Sequence, residues 1–357
     1  MGREDLEQER IRTPIDPIRT FMDDPLRMLR VIRFAARFQF DIVEETQEAL
    51  KRADCQTAFL NKVSRERVGI ELDKILTIHP RETNPIARSV YGAQLIYDYH
   101  LYRCITLSSK AGSGDYVCAL AFVCGLLLIY CCRKFIRRNA GLIEAELNRY
   151  NLTCDLRILG YCSLIGENGL EDDMDKNKPV LRAYNIVRHA FKLTNADASK
   201  IHAIFRAIKD SAFIDELSDV GFMSEVSLVA FVSELSDVAI NLKHKAARML
   251  RDTKALWTVA VILIAAERER TITEGSGILW LKGFMNLVHF WGLHDLQKLT
   301  TPLLDGKEIA AALNERPGPI VGKAGDLLFF YQIDHPNATK DDALSALPGL
   351  VSKAGLR

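Results

Sequence analysis

Hydrophobic residues along this 357-residue chain recur mostly at steps of three and four, the spacing that gathers them on one face of a helix. Runs that alternate every second residue are scarce, so the pattern predicts an all-α fold. Helices are expected at Asp23 to about Phe38, Glu44 to Ala53, Ser64 to Thr77, Ile86 to Tyr91, Val117 to Tyr150 and Pro179 to Phe191. Others are expected at Ala198 to Ser211, Ser224 to Val238, Leu242 to Glu269, Ile278 to Phe290, Gly306 to Leu313 and Gly322 to Ile333. The first is marked by Asp23-Asp24-Pro25, because an acidic N-cap followed by proline in the first turn starts a helix. Two polar stretches without periodicity, Leu107 to Asp115 and Gly166 to Lys178, are candidate boundaries.

Composition adds bounds. With 48% hydrophobic residues the chain can bury the cores of two or three domains. Its 47 basic and 46 acidic residues nearly cancel, so affinity for nucleic acid must come from how the basic residues are distributed. Val117 to Cys132 is apolar, but it falls short of the roughly 20 residues of a spanning helix and reads as a buried core helix. No membrane association is expected. The eight cysteines (Cys55, Cys104, Cys118, Cys124, Cys131, Cys132, Cys154 and Cys162) lie in apolar or helical stretches without CxxC pairs, which fits buried thiols in a reducing intracellular compartment. The opening MGREDLEQERIRTP has neither the apolar core of a secretory signal nor the acid-poor composition of a transit peptide, and reads as the middle of a domain.

Residues Ile11 to Phe40 carry the chemistry. Leu26, Leu29, Ile32 and Ala36 recur at helical spacing and should face a core. Arg27, Arg30, Arg33 and Arg37 recur along an adjacent face with no acid between them, which invites a polyanion. Asp24 stands one turn before Arg27. A carboxylate there accepts from the exocyclic amine of cytosine or adenine while the guanidinium donates to the neighbouring ring nitrogen. Guanine and uracil present the reverse order and would leave facing donors and facing acceptors, at roughly 1–3 kcal/mol for each mispaired group. Arg30 and Arg33 lie further along, within reach of phosphates or a second base edge.

The string Asp23-Asp24-Pro25-Leu26-Arg27-Met28-Leu29-Arg30-Val31-Ile32-Arg33-Phe34 resembles the (E/D)DxxRxxRxxRF motif of class II CCA-adding tRNA nucleotidyltransferases. The resemblance implies that Asp24 and Arg27 form a protein template for CTP and ATP, with Arg30 and Arg33 assisting. Gly2, Asp5, Leu6 and Ile11-Arg12-Thr13-Pro14 resemble the motif just upstream, a flexible element that couples head movement to the switch from C to A. Ser64 to Leu76 resembles the next motif, whose Glu66, Arg67 and Glu71 would brace the template helix. Leu303 to Ile309, Pro317 to Lys323 and Tyr331 to Pro336 resemble the tail that holds the tRNA elbow in eukaryotic-type enzymes. Bacterial-type poly(A) polymerases share the template-helix motif and form an alternative, as does a non-catalytic RNA-binding derivative of the enzyme.

Family members hold Mg²⁺ on a DxD that follows a GG turn, and carry RRD downstream. Gly-Gly and RRD do not occur in this sequence. Asp173-Met174-Asp175 is a literal DxD, but its acidic surroundings read as a solvated loop, so no catalytic or metal-binding residue is assigned. Two basic clusters are candidate tRNA backbone contacts: Arg133, Lys134, Arg137 and Arg138, and Lys243, His244 and Lys245 with Arg248 and Arg251. Lys323 belongs to a turn entering a helix, a plausible phosphate site. The expected organisation is a remnant of an α/β catalytic head in residues 1–20, a neck in 21–106, a body in 107–250 and a tRNA-binding tail in 251–357. In the intact enzyme of the family, CTP and ATP are the substrates, tRNA is the partner, and C, C and A are added without a nucleic-acid template.

Overall fold

A computed structural model describes residues 2–77, 85–106, 119–210, 236–295 and 299–356. The boundary expected at Leu107 to Asp115, most of the helix expected at Ser224 to Val238, and the side chains of Cys118, Cys124, Cys131 and Cys132 lie outside the described residues. The fold is mostly helical, as the periodicity predicts. It divides into two compact units, Met1–Gly221 with Thr258–Lys282, and Phe222–Trp257 with Gly283–Arg357.

The first unit opens with a short helix α1 (Gly2–Glu7), strand β1 (Arg10–Ile11) and helix α2 (Pro17–Asp23). Asp16 caps α2 by accepting from the Arg19 amide at 2.7 Å, and Pro17 supplies the preset φ of a first turn. Helix α3 (Arg27–Phe38) starts later than the sequence suggests. Asp24 has an extended backbone and closes α2 instead, donating its amide to the Thr20 carbonyl, so Leu26 without a side-chain cap precedes α3. Met28, Leu29, Val31, Ile32 and Ala35 are buried along one face, and Gln39 in the left-handed conformation ends the helix. Strand β2 (Asp41–Ile42) then pairs in parallel with β1, Ile11 opposite Ile42, and ties the exit of α3 to the entrance of α2.

Helices α4 (Glu44–Lys51), α5 (Ala53–Lys62) and α6 (Arg65–Leu76) follow, with Ser64 capping α6. The face of α3 opposite its exposed arginines packs on α6 and on α7 (Pro85–Asp98). Gly69 lets α6 approach the chain at Phe191 closely, since a Cβ there would lie 2.0 Å from the Phe191 carbonyl oxygen. Helix α8 (Tyr102–Thr106) is short, and α9 (Ala119–Arg149) and α10 (Leu156–Ile165) both pack on α7.

The region around the DxD differs from expectation. Strands β3 (Asp172–Asp175) and β4 (Lys178–Leu181) form an antiparallel hairpin, so Asp173-Met174-Asp175 lies on a strand and Pro179 does not start a helix. Lys176 and Asn177 both have positive φ, the conformation of a two-residue hairpin turn, and Pro179 is tolerated because each strand is an edge. Helix α11 (Arg182–Asn185) runs into a π turn at Ile186–Ala190, and α12 (Asn195–Lys209) follows.

The helix expected over Leu242 to Glu269 is broken. Helix α13 (Ser236–Thr253) ends in a 3-10 turn at Lys254–Leu256, where Lys254 has φ 52°, and α14 (Trp257–Thr271) begins anew. Helix α15 (Ser276–Phe290) starts in the first unit and ends in the second. The second unit continues with α16 (Gly306–Leu313), α17 (Pro319–Asp334) and α18 (Lys340–Lys353), which close on a core of Leu304, Ile309, Leu313, Ala324, Leu328, Ala343, Leu347 and Val351. Capping boxes at Asp305 with Glu308 and at Thr339 with Asp342 satisfy the first amides of α16 and α18. Among the described residues no helix is long and apolar enough to cross a membrane.

Candidate functional site

The junction of α2, α3 and α6 gathers the residues singled out in the sequence. Both carboxylate oxygens of Asp24 lie 3.2 Å from one guanidinium nitrogen of Arg67, and one oxygen also accepts from the Leu26 amide at 3.4 Å. The Asp24 side chain remains 29% exposed, so a ligand can still reach it. Arg27 is half-buried at the first position of α3 and donates to the Thr20 carbonyl at 3.4 Å. Carboxylate and guanidinium therefore stand at the same end of one helix, each held by a partner from another element.

Two turns further, Arg33 is committed elsewhere. It donates to both oxygens of Glu71 at 3.0 and 2.8 Å, and these side chains are only 14% and 7% exposed. Lys74 adds a contact to the same carboxylate at 3.3 Å. Paired charges at this depth are costly to separate, so Arg33 fixes α3 on α6 rather than projecting toward a phosphate. Arg30 and Arg37 are exposed, and the four arginines do not form one open row.

The brace consists of Arg67 to Asp24 and Glu71 to Arg33, both between helices rather than along α6. Glu66 takes no part in it. That residue is exposed and faces Lys192 at 3.9 Å. A cross-helix pair carries no local spacing signal, and the bond between Asp24 and Arg67 was not readable from sequence.

Several members of the basic clusters are engaged by packing or ion pairs, and one of them is buried. Arg133 is fully buried, donates to the Ala93 carbonyl and lies over the Tyr97 ring, which removes it from any RNA-facing surface. Arg137 lies over Tyr91, Arg138 pairs with Glu274, and Lys134 is exposed. In the second unit Lys243 donates to the Ile333 carbonyl at 2.9 Å and pairs with Asp334, which His244 also contacts at 2.7 Å. Arg248 stacks over Phe330, and Arg251 stacks over Phe329 while pairing with Asp326. Residues at positions 244, 248 and 251 of α13 thus clasp residues 326, 330 and 334 of α17. Lys245 is half-buried, and Lys323 is exposed in the first turn and a half of α17.

Among the described residues no set of side chains fits magnesium. Asp173 accepts from its neighbouring Met174 amide, Asp175 faces His189 at 4.0 Å, and no group of three or more metal-ligating side chains converges among the described residues.

No family model matches the chain. Its fold is similar to that of part of a CCA-adding enzyme. A CCA-adding enzyme in an apo form superposes with a TM-score of 0.51 at 16% identity, covering 98% of this chain and 64% of that one. Over nearly its whole length the chain is homologous to proteins named CCA tRNA nucleotidyltransferase, mitochondrial. That of Candida glabrata is 26% identical over 98% of this chain and 66% of its own length. That of Saccharomyces cerevisiae is 25% identical over 99% of this chain and 64% of its own. The chain therefore spans about two thirds of the length of these relatives.

Proposed function

We propose that this chain serves tRNA 3′-end processing by CCA addition, supplying base selection and tRNA binding for transfer from CTP and ATP without a nucleic-acid template. The observation that carries the reading is the junction of Asp24 with Arg67. A carboxylate held by a guanidinium, yet partly open, stands one turn before Arg27 at the start of a well-packed helix. Such a carboxylate accepts from the amine of cytosine or adenine, and Arg27 donates to the adjacent ring nitrogen. Uracil and guanine leave like groups facing one another. Arg30, exposed one turn on, adds a cation for the triphosphate. Homology over nearly the whole chain to proteins named for this activity supports the same reading.

Discrimination among nucleotides is the direct test. CTP and ATP should compete for binding better than UTP and GTP by roughly tenfold or more, given about 1–3 kcal/mol for each mispaired group. Asp24→Ala and Arg27→Ala should erase that preference, and an unchanged preference would refute the assignment. Given tRNA lacking CCA with labelled CTP, ATP and Mg²⁺, the chain alone is expected to bind without incorporating. Efficient incorporation would show that these residues contain the transfer chemistry as well.

A further inference from the structure

The outer end of α3 carries a stack of side chains graded from buried to open. It starts at Glu71, 6% exposed, which pins Arg33 through both oxygens. The Arg33 guanidinium lies 4.6 Å from the centroid of Phe34, and the Phe34 ring lies parallel to Phe38, 6.0 Å away at 7° between planes. Phe38 is 48% exposed, with Phe40 tilted beside it at 5.6 Å. Arg37 stands over the Phe38 ring at 5.7 Å. Arg30, Phe34, Arg37 and Phe38 are spaced four, three and one apart, so they share one side of the helix. Arg30 and Arg37 are exposed and meet no carboxylate among the described residues.

Apolar packing alone does not account for this arrangement. A phenylalanine half in water at the end of a helix loses the benefit of burial, and surface arginines are commonly paired with acids. Rings flanked by cations that lack acidic partners are the chemistry of single-stranded nucleic acid binding, in which bases stack on aromatic faces and phosphates meet guanidinium groups. The pinning of Arg33 by Glu71 holds the lower part of the stack rigid, which reduces the ordering cost of binding.

We propose that Phe38, with Arg37 and Arg30, is a stacking platform for unpaired RNA, taking a base of a single-stranded 3′ extension at the end of α3 opposite its nucleotide-selecting start, about 16 Å along the helix. This rests on the tRNA-processing reading but uses different residues. Phe38 is 48% exposed and is not one of the buried core positions of α3, so its replacement should leave the fold intact.

The test compares two labelled RNA hairpins by fluorescence anisotropy, one blunt and one ending in three unpaired cytidines, with a melting curve for each variant. The wild-type chain should bind the extended hairpin at least several-fold more tightly than the blunt one. Phe38→Ala should lose roughly five- to tenfold on the extended hairpin with no change on the blunt one, and Phe38→Trp should restore binding. Arg37→Ala should lower the salt dependence by about one counterion. Equal binding of the two hairpins by the wild type, or a Phe38→Ala chain that folds and binds the extension as the wild type does, overturns the proposal. Retained CTP preference together with that result would leave the base-selection reading standing. A lost preference in Asp24→Ala with Phe38-dependent RNA binding would support both.

Discussion

Arg67 holds Asp24 from across a helix junction, its terminal nitrogen equidistant from the two carboxylate oxygens at 3.2 Å. The pair is half-exposed on the arginine side, so its value to stability is small, about 0–1 kcal/mol. Its geometric effect is larger, because it directs the remaining lone pairs of Asp24 toward solvent at the start of α3. Arg67→Ala should therefore shift the melting temperature by only a degree or two while reducing the preference for CTP over UTP severalfold. A variant that melts normally and discriminates normally would show that Arg67 has no positioning role.

Glu71 presents the opposite balance. Its carboxylate is almost fully buried and receives two hydrogen bonds from Arg33 and one from Lys74. Glu71→Ala leaves the Arg33 charge in a protein environment without its partner, a change that costs about 3–5 kcal/mol when a buried pair is broken. Urea unfolding should register that loss, and Glu71→Gln, which keeps an acceptor, should lose less. Equal stability of the Ala and wild-type chains would mean that Arg33 swings into water freely.

Much of α3 was legible from its sequence. Leu26, Leu29 and Ile32 are buried where the spacing put them, and the helix ends at Phe38. Its start was misplaced because Asp24 has two uses: the same residue that resembles an N-cap closes α2, and backbone geometry decides between them. The partners of the basic clusters were not legible for a related reason. Lys243 and Arg251 look solvated along α13, but their acids, Asp334 and Asp326, lie on α17 far away in sequence. Arg133 gave no sign of burial because its acceptor is a backbone carbonyl, that of Ala93. Long-range pairing of this kind leaves no local period, whereas a helix face does.

Gly69 offers a test of packing between the segment that carries the brace and the chain beyond it. Its missing side chain lets α6 lie against the Phe191 carbonyl, and a Cβ would come within 2.0 Å of that oxygen and 3.2 Å of its carbon. The obstacle is backbone, which cannot rotate away. Gly69→Ala should destabilise by about 1–3 kcal/mol or more through forced separation of the two segments. Gly141→Ala, in α9 with nothing within 4 Å, should instead stabilise slightly through helix propensity. Thermal melts that place both variants together would contradict the close approach.

The cysteine environments make a chemical prediction. Burial pushes the Cys55 and Cys104 thiols up to about 11 and holds that of Cys162 well above its ordinary value, so thiolate is scarce at pH 8. Alkylation of the native chain followed by peptide mapping should find Cys55, Cys104 and Cys162 protected, and reactive once the chain is denatured. Rapid native labelling of Cys162 would show that α10 opens readily.

Acid should loosen the first unit through Arg157. That side chain bridges Asp73 of α6 at 2.6 Å and Asp197 of α12 at 3.1 Å, and Tyr161 also donates to Asp73. Burial by itself would raise the Asp197 carboxyl, but hydrogen bonds from Arg157 and Thr194 outweigh it and hold the group below its ordinary range. Because the carboxyl titrates lower in the folded than in the unfolded chain, it stabilises the fold fully above the unfolded value near 4, and that contribution fades as pH falls through the folded value. Arg157 stays charged throughout, its own pKa held up by Asp197 and Asp73 against the effect of burial. Asp197→Asn should therefore cost about 1–2 kcal/mol at pH 7, where it removes a charge-assisted bond. The gap between variant and wild type should narrow progressively below about pH 4 as the wild-type carboxylate takes up its proton. Urea unfolding at pH 7, 5, 4 and 3 measures that gap, and a difference that stays constant across the series would mean that Asp197 titrates as an ordinary carboxylate.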